Sequence, residues 1–188
     1  MRVCVSALTM LIAATAALPA AAQEGLKPRN THEGFWVGFG LGGGFNLSDF
    51  ARGNRFGGGG QVALGGTLSQ KLLLGGEAIG WARKVSGSTV TQSNGMAVAL
   101  FYPTGTGIFV KGGIGFAAWT QSATSGNTTV STTAGGFGLG GGLGYDLQIG
   151  SNLYLTPAAE FLFQSVESNV FANSTASLLM FTLGLTWH

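Results

Sequence analysis

A period of two runs through most of this chain, and it leaves little freedom in the choice of fold. In residues Gly34–Phe45 the bulky Phe35, Val37, Phe39, Leu41 and Phe45 fall on one face, and Trp36, Gly38, Gly40, Gly42 and Gly44 fall on the other. A helix would scatter those side chains around its circumference, and each interior glycine would weaken it by about 1 kcal/mol relative to alanine. The segment is a strand. The same alternation continues downstream. Val62, Leu64 and Leu68 oppose Gln61, Ala63 and Thr67; Leu72, Leu74, Ala78 and Ala82 oppose Leu73, Glu77, Ile79, Trp81 and Arg83. Met96, Val98, Leu100 and Tyr102 oppose Ala97, Ala99 and Phe101. Ile108, Val110, Ile114 and Phe116 oppose Phe109, Lys111, Gly113 and Trp119. Phe137, Leu139, Leu143 and Tyr145 oppose glycines and Asp146; Leu153, Leu155, Phe161 and Phe163 oppose Tyr154, Thr156, Glu160 and Gln164. Leu179, Phe181, Leu183, Leu185 and Trp187 oppose Met180, Thr182, Thr186 and His188, which makes eight strands. Each is roughly ten residues long, the length a tilted strand needs to cross a bilayer.

The first 22 residues do not share this pattern. Met1–Ala22 carries Arg2, an unbroken apolar stretch, Pro19 and then Ala20-Ala21-Ala22. That order reads as a secretory signal peptide cleaved before Gln23. Residues 23–33 then form a periplasmic tail, and 34–188 a single β-domain. The one cysteine, Cys4, lies inside the signal segment, so the exported chain has no disulfide framework and no cysteine-built metal site.

Two further observations separate a membrane barrel from a soluble sheet. Charged residues make up 9% of the chain, against about a quarter in soluble domains. A water-facing surface of glycines with almost no Lys or Glu would aggregate. Turning the aliphatic faces toward lipid removes the difficulty, and closing the sheet satisfies every backbone N–H and C=O in the hydrocarbon core. The reading is an all-β, eight-stranded, antiparallel, up-and-down transmembrane β-barrel. The connections agree: short links at Ser69–Lys71, Pro103–Thr106 and Gln148–Asn152 alternate with longer polar ones, among them Asn46–Gly57 and Gln121–Thr132. Short periplasmic turns and long outer loops are the barrel pattern. Phe35, Tyr102, Tyr145 and Trp187 are placed as one aromatic girdle on the lipid face, and Phe45, Phe116 and Phe163 as the other.

An eight-stranded interior is just wide enough for side chains to fill. Trp36, Trp81, Phe101, Phe109, Trp119 and Tyr154 are assigned to it, together with Glu77, Lys111 and Glu160. Buried charges must pair, so these three are expected to cluster, helped by Arg83 and by Gln61 or Gln164. The cluster serves either as a structural ion pair that fixes register or as an ion path through a narrow conducting pore. At the outer rim, Arg52, Arg55, Arg83 and Lys84 are candidates for the phosphates of lipopolysaccharide, or simply a solvated edge.

Other motifs carry no chemistry. Gly38-x-Gly40-x-x-Gly43 matches a dinucleotide fingerprint as a string, but no helix follows it. The two histidines, His32 and His188, both fall at the periplasmic end, away from any outer-rim hydrolase site. No cofactor or metal is expected. A formal charge of +2 without a Lys/Arg cluster argues against nucleic acid.

In LLLGGEAIGWA, YPTGTGIFVKGGIGFA, GGFGLGGGLGYDL, NLYLTPAAEFLF and the closing FTLGLTW, the chain resembles the small OmpA/OmpX-like outer-membrane β-barrels. The resemblance covers nearly all of the mature chain. It implies a non-enzymatic, monomeric barrel in the outer membrane, in contact with lipid and lipopolysaccharide, serving envelope structure or surface interaction. A lipid-modifying enzyme on the same barrel is the alternative. It also implies a C-terminal signal for the barrel-insertion machinery, matched by Phe181, Leu183, Leu185 and Trp187 and displaced by one because His188 follows.

Overall fold

The computed structural model describes residues 32–48, 55–85, 87–125, 128–167 and 174–188. The expected signal peptide and most of the expected tail lie outside the described residues, as does Arg52. The strands are β1 (Phe35–Asn46), β2 (Phe56–Ser69), β3 (Leu72–Val85), β4 (Ser88–Phe101), β5 (Ile108–Ser125), β6 (Thr128–Tyr145), β7 (Leu147–Gln148), β8 (Leu153–Glu167) and β9 (Ser174–Trp187). β7 is a two-residue ladder against β8. The eight long strands pair with their sequence neighbours, all antiparallel, and β1 pairs with β9 while β6 pairs with β8. The sheet therefore closes on itself and has no free side edge through its body. Among the described residues, no helix is long and apolar enough to cross a membrane.

The outer wall is apolar, as the alternation requires. Leu74 and Leu183 face outward, as do Leu41, Ile114 and Phe116, the last 82% exposed. β4 is the exception, and it corrects the sequence reading. Met96, Val98, Leu100 and Tyr102 are buried in the lumen, with Val98 only 4% exposed, whereas Phe101 points outward at 49%. Tyr102 thus leaves the girdle, and Phe101 leaves the interior. The cause is volume and register. Leu100 pairs with Leu73 and Lys111, both inside, while Phe101 pairs with Leu72 and Val110 on the outer wall. β4 carries apolar residues on both faces, so alternation alone does not choose between them. The glycine arc of β5 and β6 does: a Cβ on Gly140 would lie 2.9 Å from Met96 Cε, and one on Gly113 2.9 Å from Val98 Cγ1. Large β4 side chains fill the space that those glycines leave. The lumen is not lined by small residues alone but by glycine rows set against bulky partners.

The glycines also permit the curvature of so narrow a cylinder. On β5, an inward Cβ at Gly115 would fall onto the carbonyl oxygen of Gly95 across the ladder, whereas outward Gly112 has nothing within 4 Å of its Cβ position.

A second correction concerns the loops. Gln121–Thr132, read as a polar loop, is mostly strand: β5 and β6 are each 18 residues long and stay in register to Ser125↔Thr128. Hydroxyl pairs rung this extension, Thr120 Oγ1 to Thr133 Oγ1 at 3.1 Å and Ser122 Oγ to Ser131 Oγ at 2.9 Å. Its Thr and Val residues favour strand over loop. β3 and β4 likewise pair to Val85↔Ser88, and Gly87 takes a left-handed φ of 84° in the tight turn between them.

Candidate functional site: the filled lumen

Positions two apart on each strand look into the lumen at successive heights, and these heights form layers. Along β3 they run Leu73, Glu77, Ile79, Trp81; along β8, Tyr154, Thr156, Glu160, Leu162, Gln164.

The central layer is ionic. Lys111 Nζ bridges Glu77 Oε2 and, at 2.6 Å, Glu160 Oε1, with all three side chains buried. The structure thus brings together the three lone inward charges, Glu77, Lys111 and Glu160. Its expected helpers are elsewhere. Arg83 stands higher on the inner side of β3 with its guanidinium 5.9 Å from the Trp81 ring centre, and Gln164 belongs to the upper layer. Gln61 remains beside the cluster, in the wall of a small cavity that Glu77, Lys111 and Glu160 also line.

Above the ions lies an apolar layer of Ile79, Met96, Leu162 and Met180, all in one packed cluster. Above that, amides take over. Asn46 donates to Gln92 Oε1 at 3.2 Å, Gln164 donates to the Ser93 carbonyl at 3.2 Å and to Asn94 Oδ1, and Trp81 Nε1 donates to the Gly44 carbonyl at 3.0 Å.

The floor, at the short-turn end, is a network that the sequence did not suggest. Asp146, just after β6, accepts from Tyr102 Oη at 2.7 Å and from Thr156 Oγ1 at 2.6 Å, and the Thr156 and Thr186 hydroxyls lie 2.8 Å apart. His188 Nε2 is 3.7 Å from Asp146 Oδ2. Although 156 positions separate the two histidines, their Nδ1 atoms are 3.3 Å apart, so one ring donates and the other accepts. Gln70, in the β2–β3 turn, accepts from the His32 N–H at 3.0 Å and donates to its carbonyl at 3.3 Å. Burial, and then the neighbouring His188, lower the His32 pKa from 6.5 to about 4, against a weaker opposing pull from Asp146. Burial, then the Asp146 carboxylate, push the Tyr102 phenol above its ordinary value. The missed signal was parity: Asp146 and His188 both fall on inward positions at the end where the turns are short.

Of the rim cations, Lys84 is exposed on the outer side of β3, Arg55 is exposed ahead of β2, and Arg83 is half-buried and points inward. At the C-terminus, Phe181, Leu183 and Trp187 face outward and are exposed, Leu185 is half-exposed, and His188 turns into the floor. Gly38, Gly40 and Gly43 all lie within β1, which removes the dinucleotide reading. Among the described residues, no group of three or more His, Cys, Asp or Glu is arranged to hold a metal ion.

A closed antiparallel cylinder with a greasy outside and a packed polar inside has one setting, and the family comparison agrees. The model of the outer membrane protein beta-barrel domain matches residues 8–188. The chain belongs to that family. It is an integral outer-membrane barrel, and its short turns are by the family's pattern the periplasmic ones. Solved structures share the fold. Ail, the attachment invasion locus protein of Yersinia pestis, superposes with a TM-score of 0.60 at 12% identity, over 82% of this chain and 98% of that one. Neisserial surface protein A superposes at 0.59 with 16% identity, over 82% and 97%. The β-barrel domain of Pseudomonas aeruginosa OprF gives 0.51 at 15% identity, over 84% and 98%. Comparison with curated proteins finds no match.

Proposed function

We propose that this outer-membrane barrel is a non-enzymatic, monomeric surface protein: a filled, rigid cylinder that serves envelope structure and displays anion-binding loops at the outer rim. The carrying observation is the lumen. Trp36, Trp81, Leu73, Met180 and the Lys111 cluster are buried within it, which favours a filled cylinder over a conducting pore. The buried His32–His188–Asp146 group is sealed into the floor, at the opposite end from the outer leaflet, which speaks against a lipid-modifying enzyme. Exposed Lys84 and Arg55, with Arg52, suit lipopolysaccharide phosphates, because guanidinium and ammonium groups bind phosphate through charge-assisted hydrogen bonds. A barrel of the same fold, Ail, has been crystallised with the heparin analogue sucrose octasulfate, itself a polyanion. The outward row of Phe181, Leu183, Leu185 and Trp187 supports a role as the signal read by the insertion machinery.

The test is retention of lipopolysaccharide. Replacing Arg52, Arg55 and Lys84 together with Gln is expected to lower the lipopolysaccharide that copurifies with the folded barrel several-fold. Unchanged retention would retire the rim assignment.

A further inference from the structure

A cavity of about 40 Å³ is lined both by the ionic centre, through Glu77 and Lys111, and by the floor, through Tyr102 and Asp146, with Trp36 and Gln61 also in its wall. Three buried polar atoms of its walls have no partner among the described residues: Trp36 Nε1, Gln61 Oε1 and Glu77 Oε1. Trp36 is 2% exposed, so bulk water does not serve its N–H. A buried water needs roughly 10–15 Å³ and two to four polar partners, which makes this space about right for three. Apolar cavities stay dry, but this one offers a donor, two unpaired acceptors and the ionic cluster itself.

We propose that this cavity is a hydration site, holding about three ordered waters that join the Lys111 cluster to the Asp146 floor in one hydrogen-bonded chain. The chain continues downward through the hydroxyls of Tyr102, Thr156 and Thr186 to Asp146, His188 and His32. It stops upward at Ile79, Met96, Leu162 and Met180, which carry no exchangeable side-chain proton. The charged centre of the barrel therefore exchanges protons with the periplasm and not with the cell exterior. On the periplasmic side the His32 backbone is held by reciprocal hydrogen bonding with Gln70, at a turn that meets solvent.

The molecule supplies its own control, because Trp81 Nε1 is bonded to the Gly44 carbonyl above the apolar layer. In the full mature chain, folded in phospholipid nanodiscs with ¹⁵N-labelled indoles, Trp36 Nε1–H is expected to show magnetisation transfer from water, and Trp81 Nε1–H none. Trp36 should also exchange with D₂O at least about tenfold faster than Trp81. Gln70→Ala, at an exposed turn position, should speed Trp36 exchange several-fold further and leave Trp81 unchanged. Absence of a water signal at Trp36, or equal exchange of the two indoles, overturns the hydration site. Acceleration of Trp81 as large as that of Trp36 in the Gln70→Ala chain overturns the one-sided path.

Discussion

The two halves of the lumen are filled by different chemistry. Below the Ile79–Met96–Leu162–Met180 layer the polar groups include Lys, Glu, Asp, His and Tyr; above it they are mainly Asn, Gln and indole N–H, with Arg83 at the mouth. Both halves hold a narrow cylinder in register, but among the described residues the buried carboxylates, the buried ammonium and the buried imidazoles all lie in the lower one. The upper half resembles a set of interlocking amides, while the lower half is an electrostatic device whose strength depends on charge. Removing one member should therefore cost far more below the divide than above it.

The largest effect is expected from Lys111→Met, which strands two buried carboxylates and should destabilise the barrel by roughly 3–5 kcal/mol. In the upper layer, Gln164→Leu breaks neutral hydrogen bonds and should cost about 1–2 kcal/mol. The combined Glu77→Leu, Lys111→Met and Glu160→Leu chain should recover most or all of the loss, because an apolar core has no ion to desolvate. The midpoint temperature of the heat-induced gel-mobility shift in detergent measures all three. Equal loss from Lys111→Met and Gln164→Leu would erase the distinction between the halves.

A smaller effect follows from pH. The folded floor keeps His32 neutral down to about pH 4, whereas the unfolded chain protonates it near 6.5. Between those values the unfolded state binds the extra proton, so stability falls as the pH drops through the window, by at most about 3 kcal/mol. The contribution is fully present above pH 6.5. Unfolding midpoints measured from pH 7 to pH 4 should decline, and His32→Ala should flatten the decline. An unchanged slope in His32→Ala would show that the floor is not what titrates.

How much of this could be read from the sequence differs between the two halves for a physical reason. Strands with one apolar face, such as β1, β5 and β9, declared their orientation. A lone charge on an inward position, as at Glu77, Lys111 and Glu160, declared a pairing, because a narrow lumen tolerates charge only in company. β4 declared nothing, since Met96–Val98–Leu100 and Ala97–Ala99–Phe101 are both apolar, and the choice was made by glycines on β5 and β6. The β5–β6 extension was hidden by composition: Ser, Thr and Asn read as loop, but their β-branched members pair across strands. The floor was hidden by distance. His32, Gln70, Tyr102, Asp146 and His188 meet only once the barrel has closed, and no local pattern links them.

The ionic centre and the Ile79–Met96–Leu162–Met180 layer close the lumen across its width, and the rest of the reading depends on that closure. Conductance of the purified, refolded protein in a planar lipid bilayer tests it most directly. The filled lumen predicts a silent bilayer, without large stable steps, at neutral pH. Large, long-lived unitary conductance from the folded, heat-modifiable form would contradict it.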